Sequence, residues 1–199
     1  MRTLFPAFFA LCLALIFACS STPPALPPML TAIQNGHLQF ADGSSRPIPH
    51  YDDSTYIVFY CVRHCEKVKD GSKDPDLTPE GQARAERLGR ILAGGQIDRI
   101  CTTTYKRTIQ TGEAVQSRAG NPSFETYPAE SQGVWLDSVL EAGGGKRYLV
   151  VGHQNTVPQL LNHLMGKTQF QNIPDDEFGM LYVVVTKGPG ATAVIEIRY

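Results

Sequence analysis

The 199 residues carry 18 Lys and Arg against 19 Asp and Glu, a net charge of −1 with neutral histidines. A charge so balanced, with no basic stripe, excludes nucleic acid as an expected partner, and a 42% hydrophobic content excludes a disordered chain. The length suits one ordinary domain, and neither His37 nor His50 has a Cys, His or carboxylate cluster at metal-ligand spacing beside it, so no metal and no cofactor are expected.

In chain order, residues 1–18 read as a signal peptide. Arg2 precedes an almost unbroken apolar run from Leu4 to Phe17, short for a membrane span and suited to a secretory signal. Ala18-Cys19 resembles the lipobox of bacterial lipoproteins, although Phe17 is bulkier than the residue usual in that pattern. The resemblance implies cleavage before Cys19 and lipidation of its sulfur; an ordinary cleaved signal or a retained anchor helix are the alternatives. Residues 19–29 then form the lipidated cysteine and a spacer rich in proline (Pro23, Pro24, Pro27 and Pro28). The expected location is outside the cytoplasm, anchored by lipid on the periplasmic side of an outer membrane, with which Ser20 is compatible.

Residues 30–199 read as the folded domain. Between Leu30 and Asp53 a small hairpin turning at Ala41-Asp42-Gly43-Ser44 is expected on the domain edge. Ile57 to Val62 is a continuous apolar, β-prone run, the pattern of a strand buried on both faces, and it ends abruptly in Arg63-His64-Cys65-Glu66-Lys67. Leu77-Thr78-Pro79-Glu80 opens a helix: Thr78 suits the N-cap, Pro79 the first helical position and Glu80 the positive end of the dipole. Ala85, Leu88, Ile91 and Leu92 form its apolar stripe, and Gly94-Gly95 closes it.

A second strand, Ile97 to Cys101, leads to a helix whose first turn holds Arg107. A cation is unfavourable there unless an anion is shared. Phe124 to Tyr127 reads as a short strand and Gln132 to Ala142 as a helix. Tyr148 to Val151 is a buried strand ended by Gly152-His153, followed by a helix through Leu164 that carries His163, read as structural. Met180 to Val185 and Ala193 to Ile197 are final strands. The alternation predicts an α/β fold, a three-layer α/β/α sandwich on a mainly parallel sheet.

In such sheets ligands sit beyond the carboxyl ends of the strands. Arg63, His64, Arg107, Gly152 and His153 all fall at such ends. Two guanidiniums and two imidazoles around one point make a phosphate pocket, with guanidinium forks holding oxygens and a neutral imidazole able to attack phosphorus. Taken singly, each of these residues reads as well as a solvated charge or turn histidine.

Four stretches in order resemble the histidine phosphatase superfamily, the phosphoglycerate mutase-like fold: Val62-Arg63-His64-Cys65-Glu66-Lys67, Leu77-Thr78-Pro79-Glu80-Gly81, Tyr105 to Thr111, and Val150-Val151-Gly152-His153. The resemblance implies that His64 is the nucleophile and forms a phosphohistidine, that Arg63, Arg107 and His153 bind the phosphoryl oxygens, with His153 protonated when it donates to one, and that no metal is needed. Cys65 stands where the family commonly has glycine or alanine. Gln154 stands where some members carry an aspartate, so that arrangement is absent; an enzyme without a positioned acid could still cleave substrates with good leaving groups. Glu130 is the candidate acid and Asp137 a weaker one.

The leading expectation is therefore a phosphoric monoester hydrolase similar to histidine acid phosphatases, acting on a small or envelope-associated phosphorylated substrate. A phosphate-binding or structural lipoprotein without turnover is an alternative of a different class, and a mutase-type phosphotransferase a third. Cys61, Cys65 and Cys101 remain in the domain. A Cys61–Cys101 bridge is conceivable, but strand-core positions favour buried free thiols.

Overall fold

The computed structural model describes residues 28–199; the expected signal peptide, Cys19 and the expected spacer up to residue 27 lie outside the described residues. Six strands form the central sheet, and three more form a small antiparallel sheet at its side. The small sheet comes first, as β1 (Leu30–Gln34), β2 (His37–Phe40) and β3 (Ser45–Pro47). It corrects the expectation of a single hairpin. Asn35 and Gly36 both take positive φ, so an Asn-Gly turn joins β1 to β2 before the anticipated turn joins β2 to β3.

The central strand β4 (Ile57–Arg63) is buried at every position. It pairs in parallel with β7 (Arg147–Gly152), which pairs in parallel with β5 (Arg99–Thr102), and β5 with β6 (Ser123–Thr126). On its other side β4 runs antiparallel to β8 (Met180–Thr186), which carries β9 (Thr192–Arg198) at the edge. The order β6-β5-β7-β4-β8-β9 makes the sheet mainly parallel, as expected.

Alternation along β4 divides the core. Val58, Tyr60 and Val62 face one layer, with α1 (Pro79–Leu92), α2 (Lys106–Gln116) and the small sheet, where Leu88, Ile91, Leu92, Val115, Leu30 and Leu38 are buried. Ile57, Phe59 and Cys61 face the other, against α3 (Gln132–Glu141) and α4 (Thr156–Met165), where Leu136, Leu160, Leu161 and Leu164 are buried. Period-2 burial on both faces is the reason β4 reads as an unbroken apolar run. No helix among the described residues is long and apolar enough to cross a membrane.

The parallel set brings the carboxyl ends of β4, β5 and β7 side by side. Arg63 registers with Gly152, and the next amide, His64 N–H, donates to the Gly152 carbonyl at 2.9 Å. The helix-opening motif is used as expected: Gly81 N–H donates to the Thr78 hydroxyl at 3.0 Å, while Thr78 N–H donates to the Glu66 carbonyl at 2.9 Å. A Cβ on Gly81 would run into that same carbonyl, so glycine lets α1 pack directly on the loop that follows His64.

Candidate active site

A cavity of about 1480 Å³ opens over these strand ends, and Arg63, His64, Arg107, His153 and Glu130 all line it. His64 is 4% exposed. Its Nδ1 lies 2.7 Å from the Cys65 carbonyl. A carbonyl only accepts, so Nδ1 carries the proton and the lone pair is on Nε2. Burial, together with the charges of His153, Arg107 and Arg63, pushes the ring down to about 3, which keeps it neutral. A buried, neutral imidazole with a fixed tautomer is the form that attacks an electrophile.

Arg63 stacks over Phe178, with Cζ 4.4 Å from the ring centroid. Its Nη1 donates to the carbonyls of Pro174 at 2.6 Å and Glu177 at 3.1 Å, and Nη2 donates to Gln154 Oε1 at 3.2 Å. A guanidinium has five N–H groups. Three are committed, leaving Nε–H, which is buried without a partner in the protein, and one N–H on Nη2. These belong to neighbouring nitrogens and form one edge of the fork.

Arg107 is freer still. Its Cζ sits 4.3 Å over the Tyr105 ring, Nη2 lies 3.5 Å from His153 Nδ1, and Nε and Nη1 are buried without a hydrogen-bond partner. The shared anion that a cation at the start of α2 calls for is Asp74. Its carboxylate accepts from Lys106 N–H at 2.9 Å and approaches Arg107 Nη1 at 3.8 Å, too far for a hydrogen bond. Buried guanidinium donors left unpaired are costly, and an oxyanion between the two forks would satisfy them.

His153 completes the ring of groups, its centroid 5.4 Å from that of His64. The expectation that it is protonated concerns the ring as it donates to a phosphoryl oxygen; the protein's own groups hold it differently. Burial and the charges of Arg107, Arg63 and Lys67 push it down to about 4, so it is neutral until an anion arrives. Gly152 lets α4 close on this corner, because a Cβ there would meet Thr156 Oγ1 at 2.7 Å.

Of the two acid candidates, Glu130 lies in a 3-10 turn (Ala129–Ser131) between β6 and α3 and lines the cavity. Asp137 does not line it, and its carboxylate is paired with His163 Nε2 at 2.8 Å. Cys65, which follows His64, is buried with Leu77 and Ala85, and burial pushes its thiol up to about 12. Cys61, Cys65 and Cys101 are all free and buried.

Sequence reasoning missed four groups. Glu66 forms a close ion pair with Arg84 of α1: Nε donates to Oε1 at 2.7 Å and Oε2 at 3.0 Å, and Nη2 lies 2.6 Å from Oε1. Lys67 lines the cavity. Phe178 and the carbonyls of 174 and 177 hold Arg63, although 111 residues separate Arg63 from Pro174; only the pairing of β8 with β4 brings them together. Thr103 Oγ1 touches His153 Nε2 at 2.9 Å. Its position directly after β5 was the one signal for it.

The fold and these groups define an α/β protein whose strand ends open into a large cavity lined by two arginines with uncommitted donors and two histidines. A model of the histidine phosphatase superfamily (branch 1) matches residues 59–129. A broad-specificity phosphatase of Saccharomyces cerevisiae is 27% identical over 93 residues, 41% of this chain and 40% of the yeast protein; the match thus spans about two fifths of that relative's length. Among solved structures, the protein histidine phosphatase SixA complexed with tungstate superposes with a TM-score of 0.59 at 20% identity, covering 71% of this chain and 96% of that one. YhfR of Bacillus stearothermophilus does so with a TM-score of 0.57 at 16% identity, covering 69% and 95%. These comparisons establish the phosphoglycerate mutase-like α/β sandwich and support the histidine phosphatase superfamily.

Proposed function

We propose that this protein is a phosphatase that hydrolyses a phosphomonoester through a phosphohistidine on His64, and that it works outside the cytoplasm on a lipid anchor at Cys19. The observation that carries the catalytic reading is the meeting of the His64 Nε2 lone pair with unpaired guanidinium edges of Arg63 and Arg107. In the first step Nε2 bonds to phosphorus, the bond from phosphorus to the leaving oxygen breaks, and that oxygen takes a proton from the Glu130 carboxyl. The ring is then cationic, and its Nδ1–H bond to the Cys65 carbonyl favours that state. In the second step water attacks phosphorus, the N–P bond breaks, and the Glu130 carboxylate takes the water's proton. Arg63, Arg107 and His153 stabilise the charge on the phosphoryl oxygens throughout.

The neutrality of His64 leaves its Nε2 lone pair available for attack on phosphorus. The neighbouring SixA structure, with the tetrahedral oxyanion tungstate, supports a phosphoryl site in this fold. The substrate on this reading is a small or envelope-associated phosphorylated compound, and the cavity that would take it is lined by Lys67 and Lys69 as well as by Asp175 and Asp176.

The test is His64→Ala. It should fold, bind phosphate weakly and lose hydrolysis of p-nitrophenyl phosphate, while rapid quench of the wild type with labelled substrate traps an acid-labile, base-stable phosphoenzyme. Full activity in His64→Ala would place the chemistry elsewhere. Absence of turnover in the wild type, with phosphate binding retained, would favour a binding lipoprotein. For the anchor, Cys19→Ser should release the protein from membranes; a mutant that stays membrane-bound and uncleaved would show a retained N-terminal helix instead.

A further inference from the structure

His153 is tied to the start of α2 by a chain of hydroxyls that the phosphatase reading leaves unused. His153 Nε2 lies 2.9 Å from Thr103 Oγ1. Thr103 Oγ1 lies 2.9 Å from Thr108 Oγ1. Thr108 Oγ1 donates to the Tyr105 carbonyl at 2.7 Å, with the Thr103 carbonyl a longer alternative at 3.0 Å. Thr103 and Thr108 are both fully buried, so each hydroxyl proton must find a partner inside the protein.

The Tyr105 carbonyl can only accept, so the Thr108 proton points to it and Thr108 Oγ1 is left as an acceptor. The Thr103 proton then has two acceptors in reach, Thr108 Oγ1 and His153 Nε2, so the hydroxyls alone admit either tautomer. Arg107 Nη2, which faces His153 Nδ1 at 3.5 Å, selects between them. A guanidinium only donates, so Nδ1 holds the lone pair, Nε2 carries the proton, and the Thr103 proton goes to Thr108 Oγ1.

We propose that Thr103, backed by Thr108, is the positioning residue of the site: it holds His153 as the Nε2–H tautomer and so aims the unprotonated Nδ1, beside Arg107, at the place where a phosphoryl oxygen lands. The proposal rests on the phosphatase reading for its purpose and not for its geometry. When a phosphomonoester monoanion enters, its P–OH proton passes to Nδ1, which then donates back to the same oxygen, now anionic. Nε2–H stays on Thr103, so both ring nitrogens are satisfied in the charged state. Without Thr103 the ring could carry its single proton on Nδ1, and no second acceptor would steady the imidazolium.

Other charged or titratable groups reach His153 from several elements. Arg63 and His64 approach it from β4, Lys67 from the loop after it, Arg107 from α2, and Tyr105 at 5.3 Å between ring centroids. None of these accepts from Nε2.

The test is long-range ¹H–¹⁵N correlation on the histidine rings of the ¹⁵N-labelled protein, with orthovanadate affinity measured alongside. In the wild type His153 should be the Nε2–H tautomer, and vanadate should convert it to the doubly protonated ring. Thr103→Val should shift it toward Nδ1–H and weaken vanadate on the order of tenfold, the usual effect of leaving one buried partner unsatisfied. Thr103→Ser should restore both. Thr108→Ala, which suits a helix, should move both readouts in the same direction by less, and it serves if Thr103→Val does not fold. An Nδ1–H ring in the wild type overturns the proposal with no variant needed. So does a Thr103→Val ring that keeps Nε2–H, whether or not vanadate weakens, because the threonine would then act by packing alone. A wild type with the stated tautomer and no hydrolysis would instead overturn the phosphatase reading.

Discussion

Arg63→Lys keeps the positive charge at the end of β4 and removes the fork. The structure sets the size of the effect. The guanidinium commits three N–H groups to the carbonyls of Pro174 and Glu177 and to Gln154, which leaves Nε–H, buried and unpaired, and one Nη2–H uncommitted. An ammonium has three donors on one nitrogen and cannot hold those acceptors and grip two phosphoryl oxygens together. At least one charge-assisted contact is lost, worth roughly 1.5–3 kcal/mol. At about 1.36 kcal/mol for each factor of ten, kcat/KM for p-nitrophenyl phosphate should fall by about 10- to 150-fold. Because the same oxygens are held in the ground state and in the transition state, inhibition by orthovanadate should weaken in parallel. Steady-state kinetics with matched thermal unfolding curves separates this from general destabilisation. Activity within threefold of wild type would refute the reasoning, since it would mean that charge alone matters and the free edge of the fork does nothing.

Glu130→Gln should slow hydrolysis of alkyl phosphates by about 10²–10⁴ and affect p-nitrophenyl phosphate much less, because that leaving group departs without a proton; equal losses on both would remove Glu130 as the acid. His64 and His153 are held neutral to about 3 and about 4, below the ordinary 6.5, so the unfolded chain binds protons that the folded one refuses. Their contribution to stability is complete above pH 6.5 and is lost as the pH falls toward those values, with a slope of at most about 2.7 kcal/mol per pH unit for two protons. Denaturant titrations from pH 8 to 4 should show this acid loss, and His153→Gln should flatten it; an unchanged slope would contradict the buried neutral ring. Cys61, Cys65 and Cys101 should resist alkylation in the native protein and all react once it is denatured without reductant, as peptide mapping would reveal; fewer than three modified there would mean a bridge.

Most of the fold was legible because its signals are local. β4 alternates between two buried layers and so reads as apolar throughout. Thr78-Pro79-Glu80 starts α1 as cap chemistry requires, with the Thr78 hydroxyl accepting from Gly81. The miss in the N-terminal part was also local. Asn35-Gly36 is a strong two-residue hairpin signal, yet the flanking strands are only 5 and 4 residues long, and the more conspicuous turn at Asp42-Gly43 drew the assignment. By contrast, nothing near residues 170–179 announces what they do. That loop has no helical or strand periodicity, and its use depends on where β8 lies.

The same division explains the site. The charged groups sit at strand ends, where a sequence motif can mark them, and the sheet then assembles Arg63, His64, Arg107 and His153 on one edge. What the groups can do depends on distant partners. Arg63 has a free edge because two carbonyls more than a hundred residues away occupy the other donors. His64 has its lone pair on Nε2 because the Cys65 carbonyl fixes the proton on Nδ1. His153 is neutral because it is buried and because the charges of Arg107, Arg63 and Lys67 oppose its own. A phosphomonoester monoanion entering the cavity changes all three conditions together: it pairs the open guanidinium donors, gives its proton to His153 and supplies the counter-charge that the ring then needs, and brings phosphorus to the unprotonated Nε2 of His64. Binding an oxyanion therefore satisfies the same donors that the transfer step uses.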